Sequence, residues 1–183
     1  IILFFSPGAC SRVTMTALEE VGANYSAQLI DIAKDQTHSP EYLQINPKGK
    51  VPALSWNGRV MTENPALLQF ISEQYPDAGL LPPTDDPVEK AIHLADLCWC
   101  SSTLHPSVRQ IFRPTKWTTS APEGVKEDGL AKMAKESAGI AERVGDVCSC
   151  RNWKLALWSI SKRPLRSDRD HVLQISPLKS PLL

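Results

Sequence analysis

Cys10 is the side chain whose type and setting point most clearly to chemistry. It follows Ser6-Pro7-Gly8-Ala9 and precedes Ser11, where a short apolar run gives way to a helical pattern. A helix start offers unpaired backbone N–H groups and the positive end of the peptide dipoles, which favour a thiolate or a bound anion. A lone cysteine can equally be a small buried hydrophobe. The turn at the carboxyl end of a strand, where open α/β sheets bind ligands, supports the reactive alternative. Pro7 and Val13 occupy the two positions that would complete a Cys-x-x-Cys, so a dithiol mechanism is excluded and a monothiol one stays open. The remaining cysteines form Cys98-Trp99-Cys100 and Cys148-Ser149-Cys150. That spacing suits a structural zinc site poorly and no nearby histidine completes a set, so no metal is expected. His105, just ahead of Pro106, reads by itself as a surface or helix-end histidine.

The elements that must hold Cys10 follow from periodicity and turn chemistry. Ile1 to Phe5 is a run of β-formers, Val13, Ala17, Leu18 and Val21 keep helical spacing up to Gly22, and Tyr25 to Ile32 reads as a second strand. Strand, helix, strand in so few residues predicts a βαβ unit with parallel strands. A polar loop over 33–40 comes next, with Ser39 capping a short helix that carries Pro40 at its first position. Asn46-Pro47-Lys48-Gly49-Lys50 is a turn, and Val51 to Leu54 a short strand. Asn57-Gly58 between apolar runs is the strongest hairpin signal, so the third and fourth strands should be antiparallel. Thr62 is expected to cap a helix opened by Pro65 and carrying Ala66, Leu67, Phe70, Ile71 and Tyr75.

These signals predict an α/β domain with a mixed four-stranded sheet over residues 1–76, a proline-rich linker over 77–86, and an all-helical domain over 87–183. Asp86 should cap a helix starting at Pro87, with Ala91, Ile92, Ala95, Cys98 and Trp99 on one side. Residues 129–147 give the best amphipathic pattern, with Leu130, Met133, Ala134, Ile140, Ala141, Val144 and Val147 inward.

At 183 residues, 42% of them hydrophobic and 22% charged, the chain can bury a core. A formal net charge of zero argues against a nucleic-acid or anionic-membrane partner. No apolar stretch approaches a membrane span, and no export signal is evident. Five cysteines without a dense framework suit a reducing, cytoplasmic setting. The neutral total hides an asymmetry. Residues 1–150 carry 13 basic and 18 acidic side chains, whereas 151–183 carry 7 and 2.

Three motifs carry a family resemblance: FFSPGACS at 4–11, INPKGKVPAL at 45–54 and MTENPALLQFISEQYP at 61–76. In identity and spacing, residues 1–145 resemble the thioredoxin-like N-terminal domain and first C-terminal helices of glutathione S-transferases, the bacterial beta class in particular. The resemblance implies that Pro52 is cis and that Val51 pairs its backbone with the cysteinyl part of glutathione. Glu63 and Asn64, which alone read as ordinary capping residues, would then bind the γ-glutamyl end. Glu63 would receive the α-ammonium and Asn64 would help hold the carboxylate. Lys34 and Lys50, by residue type solvated lysines, resemble positions that reach the glycyl carboxylate. Cys98 stands where relatives carry an asparagine facing glutathione.

By the same resemblance Cys10 takes the place of a tyrosine or serine in other classes, with Ser11 able to donate to the same sulfur. His105 matches a histidine of the second domain, favouring the thiolate as imidazolium or relaying a proton as neutral imidazole. Pro106 departs from the family pattern, where the helix continues, and is expected to kink it. Ile111, Phe112 and Trp117 would line an electrophile pocket or pack in the core. After Trp153 the likeness ends: Lys162 stands where a capping aspartate is expected, and Leu165 to Asp170 holds five charged or polar residues in six. The implied activity is conjugation of glutathione, a co-substrate, to small hydrophobic electrophiles, in a homodimeric detoxification enzyme. The alternatives are glutathione-dependent thiol–disulfide exchange through Cys10, and a transferase-like binding or stress protein without catalysis.

Overall fold

A computed structural model describes residues 1–146, and of 141–146 the backbone only. The departure after Trp153, the cysteines at 148 and 150 and the expected inward positions 141, 144 and 147 therefore lie outside the described side chains. The chain divides into two compact units, the first over Ile1–Pro83 and the second beginning at Thr84. The division falls inside the proline-rich stretch expected as linker. Leu80, within that stretch, is buried and so belongs to the first unit's packing.

In the first unit, β1 (Ile2–Phe5), α1 (Ser11–Glu20) and β2 (Ser26–Leu29) form the βαβ unit, followed by α2 (Pro40–Ile45), β3 (Ala53–Trp56), β4 (Arg59–Thr62) and α3 (Asn64–Gln74). The sheet order is β2-β1-β3-β4. β1 runs parallel to β2 and antiparallel to β3, and β3 pairs antiparallel with β4, giving the mixed four-stranded sheet. Asn57 and Gly58 both have positive φ, 49° and 79°, as a two-residue hairpin turn of the favoured twist requires. Alternation along β1 splits the core. Phe4 joins Ile30, Tyr42, Val51 and Ala53 in one cluster, while its neighbour Leu3, paired with Leu54, points to the opposite face.

Two local readings are corrected. The second strand stops at Leu29, not Ile32, because the Asp31 carboxylate accepts from the Ala33 and Lys34 N–H groups and starts a 3₁₀ turn over Ile32–Lys34. The residue that caps α3 is Glu63, not Thr62, which remains the last residue of β4. Glu63 caps with φ +74° and ψ 118° and without a side-chain capping bond. That is a backbone region a non-glycine residue rarely adopts.

The second unit contains α4 (Pro87–Trp99), a π-helical turn (Cys100–Leu104), α5 (His105–Phe112) and α6 (Pro122–Asp146). Asp86 caps α4 through the Val88 N–H at 2.8 Å. Pro106 sits where the regular helical repeat is interrupted. The turn ahead of it widens to π geometry, so proline, which lacks an N–H, falls in the first turn of α5.

Both expected inward faces of this unit shift. In α4 no residue is buried, and Ala91, Ile92, Ala95 and Cys98 are exposed. In α6 Leu130 and Ala134 face outward, and the inward line runs through Val125, Gly129, Met133, Glu136 and Ile140. Gly129 explains the second shift. A Cβ there would lie 2.9 Å from the Cβ of Gln110, 3.0 Å from the Ser107 carbonyl oxygen and 3.1 Å from Cγ1 of Ile111. The hydrogen of glycine lets α5 approach α6 at that point, which fixes the rotation of α6. Core packing is also ruled out for Phe112 and Trp117, which are 79% and 52% exposed. Among the described residues no helix is long and apolar enough to cross a membrane.

Gly129→Ala should therefore invert the usual helix propensity. Alanine normally stabilises an exposed helix position by about 0.5–1 kcal/mol over glycine. Here overpacking should destabilise the protein by about 1–3 kcal/mol. Gly139→Ala, which meets nothing within 4 Å, should show the ordinary gain. Urea or thermal unfolding of the two variants beside wild type checks the contrast.

Candidate active site

The loop between β1 and α1 closes on itself. Gly8 has φ +69°, the Ala9 N–H bonds the Ser6 carbonyl at 3.2 Å, and Ser11 seals the loop from inside. The Ser11 hydroxyl is fully buried. It accepts from the Ser6 N–H at 3.1 Å and donates to the Ser6 carbonyl at 3.2 Å. Its single proton is thus committed to the backbone, so Ser11 builds the turn and is not oriented as a donor toward a sulfur at Cys10. Cys10 occupies the capping position of α1. Its half-buried thiol donates to the Val51 carbonyl at 3.3 Å, so the two leading candidates meet.

Val51 is held by a clamp one residue upstream. The Lys50 carbonyl accepts from the Tyr42 hydroxyl at 2.7 Å and from Nδ2 of Asn46 at 2.6 Å. Tyr42 is fully buried and packs edge-on against Phe4 with ring centroids 6.0 Å apart. Burial raises its phenol pKa, against a lowering contribution from Asn46, so it stays a donor. Asn46 also accepts from the Lys48 N–H at 3.1 Å, shaping the Asn-Pro-Lys-Gly turn. The peptide bond from Val51 to Pro52 is cis, as the resemblance implies. The side chain of Lys50 itself is exposed. Lys34 is exposed too and lies 3.6 Å from the Asp31 carboxylate.

Asn64, the first residue of α3, reaches across to α1. Its Oδ1 accepts from the buried Thr14 hydroxyl at 2.7 Å, and its Nδ2 donates to the Cys10 carbonyl at 3.0 Å. Glu63 beside it is paired with Lys48, whose Nζ lies 2.9 Å from Oε1 of Glu63 and 3.1 Å from Oγ1 of Thr62. The first unit thus brings together Cys10, Ser11, Val51, Pro52, Glu63 and Asn64. It adds four residues the sequence reading did not single out: Thr14, Tyr42, Asn46 and Lys48. Asn46 and Lys48 were visible as turn residues, and Tyr42 is the one aromatic of a short helix that also carries Glu41 and Gln44. Thr14 gave no local signal.

In the second unit, Cys98 lies exposed on α4 and His105 is half-buried at the start of α5. The His105 pKa is held below its ordinary value of 6.5, first by burial and then by the charge of Arg109. Of its two expected forms, the neutral imidazole is the one present at pH 7. Among the described residues no cluster of three or more histidine, cysteine, aspartate or glutamate side chains could hold a metal ion.

A family model described as "Glutathione S-transferase, N-terminal domain" matches residues 7–74. Glutathione S-transferase GstA of Escherichia coli O157:H7 is 30% identical over 146 residues, which is 79% of this chain and 70% of that protein. A bacterial beta class glutathione S-transferase from Sphingomonas chungbukensis superposes with a TM-score of 0.73 at 30% identity, covering 87% of this chain and 80% of the other. A sphingomonad glutathione S-transferase complexed with glutathione gives a TM-score of 0.68 at 33% identity, covering 79% and 70%. Other relatives are matched over a smaller part of their length, 42% and 40% for two of them.

Two measurements check the site. Asn64→Ala leaves the buried Thr14 hydroxyl without its acceptor and should destabilise the protein by about 1–3 kcal/mol in urea unfolding. An unchanged midpoint would show that the bridge is not holding the two helix starts. The imidazole of His105 should titrate below 6.5 by NMR, with Arg109→Gln raising the midpoint. Because the unfolded chain takes up that proton first, the linked stability is lost as pH falls from 6.5 through the folded value. A midpoint at or above 6.5 would contradict the burial argument.

Proposed function

Since the chain belongs to the glutathione S-transferase family, we propose that it joins the glutathione thiolate to small hydrophobic electrophiles, with Cys10 beside the reacting sulfur. The observation that carries this reading is the meeting of the Cys10 thiol with the Val51 carbonyl at 3.3 Å, at a helix start and next to Pro52. Val51, whose backbone direction the Lys50 clamp sets, is the residue we assign to the cysteinyl backbone of glutathione, by strand-like pairing. Glutathione's sulfur would then lie near Cys10, and the α1 N-terminus would favour its thiolate. The sulfur lone pair forms the new S–C bond, and the leaving group departs with its electron pair. Catalysis on this reading is mainly a lowered thiol pKa and positioning.

Glu63 is assigned to the γ-glutamyl ammonium, and Lys34 and Lys50 to the glycyl carboxylate. Asn64 fixes the Cys10 carbonyl and the α3 start. We assign His105 to proton relay as a neutral imidazole, and Cys98 to glutathione contact. Glutathione is a co-substrate here, and the chemistry asks for no metal. A homodimer is part of the proposal. It is supported by the exposed apolar residues Val88, Ile92 and Leu94 of α4, 64%, 53% and 40% exposed, which a second copy would cover. A detoxifying role, and a cytoplasmic setting that five cysteines without a dense framework would suit, complete the proposal.

One feature favours a second reaction. The position beside glutathione's sulfur holds a thiol rather than a hydroxyl, and a thiol can exchange with a mixed disulfide. Conjugation needs Cys10 only as a helper, whereas exchange needs its sulfur as the attacking atom. Cys10→Ala and Cys10→Ser should both abolish glutathione-dependent reduction of a mixed disulfide and keep part of the conjugating activity toward an aromatic halide. Assaying both variants with both substrates separates the reactions. Equal loss would mean that one role of Cys10 serves both, and retained disulfide reduction in Cys10→Ala would place the attacking thiol elsewhere.

A further inference from the structure

Glu63 poses an electrostatic problem that its neighbour resolves. The γ-glutamyl end of glutathione is a free α-amino acid, with ammonium and carboxylate on one carbon and their N and C atoms about 2.5 Å apart. A lone carboxylate protein group attracts the first and repels the second, so it gains little from the zwitterion as a whole. Asn64 is a poor remedy, since its carbonyl and one of its N–H groups are already engaged by Thr14 and the Cys10 carbonyl. Lys48 Nζ, however, lies 2.9 Å from Oε1 of Glu63, a separation close to that of the ligand's own charges. Two of its three N–H groups go to Glu63 and Thr62, which leaves the third. On Glu63, the bond engages Oε1 and leaves Oε2.

We propose that Lys48 and Glu63 form one receptor for an α-amino-acid zwitterion, in which Glu63 takes the ammonium, Lys48 takes the carboxylate, and Lys48 sets the selectivity for ligands that carry that carboxylate. The proposal rests on the glutathione reading above. The ligand's dipole lies antiparallel to that of the protein pair, so each charge meets its opposite and the pair need not separate. Thr62, at the end of β4, accepts a second N–H of Lys48 at 3.1 Å and helps hold its ammonium in place. Because the two side chains are half or more exposed, at 52% and 62%, the pair contributes little to folding, and Lys48 can be replaced without risk to the fold.

The test uses calorimetry on the full chain with two S-methylated ligands, so that no disulfide with Cys10 can form. One is S-methylglutathione. The other is its counterpart lacking the α-carboxylate, S-methylated γ-aminobutyryl-cysteinyl-glycine. Wild type should prefer the first by about tenfold or more, the range expected for a charge-assisted contact. Lys48→Gln should lose about tenfold for S-methylglutathione, bind the decarboxylated ligand as wild type does, and so lose the preference, while Lys48→Arg restores it. Unchanged or tighter binding of S-methylglutathione by Lys48→Gln would overturn the proposal and make Lys48 a competitor for Glu63. Equal losses for both ligands would overturn it in favour of a general structural role. Failure of wild type to bind S-methylglutathione at all would instead remove the glutathione reading and this proposal with it.

Discussion

One side-chain amide holds the site's two halves in register. Asn64 opens α3 and grips α1 at two points, the Thr14 hydroxyl and the Cys10 carbonyl, so the starts of two helices on one face of the sheet cannot move apart independently. The Thr14 end of the bridge is withdrawn from water: satisfied it helps specify one geometry, and broken it leaves a buried hydroxyl unpaired. The position of Cys10 is therefore set from behind by α3 as much as by its own helix.

A second constraint acts from the opposite face. Tyr42 and Asn46 hold the Lys50 carbonyl, which directs the chain into Val51 and Pro52 and brings the Val51 carbonyl to the Cys10 thiol. Ser11 does the same for the β1–α1 loop through Ser6. Side chains bonded to backbone carbonyls thus fix two segments that carry no regular secondary structure. This is how a loop can be placed as firmly as a strand.

Much of this was legible in the sequence where the signal was local. Asn57-Gly58 announced its hairpin, Ser39 and Pro40 announced α2, Asp86 announced α4, and the apolar run of β1 followed by helical spacing announced the βαβ unit. The motif around Val51 and Pro52 was readable through resemblance. What stayed hidden was decided by partners distant in sequence. Periodicity put Leu130 and Ala134 inside because they are apolar, whereas contact with α5 at Gly129 rotated them out. The face of α4 was read correctly as apolar and wrongly as covered. Ser11 looked available because its burial against Ser6 depends on the closed loop. Lys48 and Glu63 are fifteen residues apart, and nothing in either segment advertises the pair.

Glu63 shows what such a site demands of evolution. Its backbone sits at φ +74°, where a side chain beyond glycine costs on the order of 1–3 kcal/mol, and its exposed ion pair returns little of that. Selection for foldedness alone would drive this position toward glycine. A library sorted only for expression or heat resistance would therefore erode the carboxylate first, whereas keeping it requires a second filter on ligand retention. At this residue the fittest fold and the fittest site are different sequences.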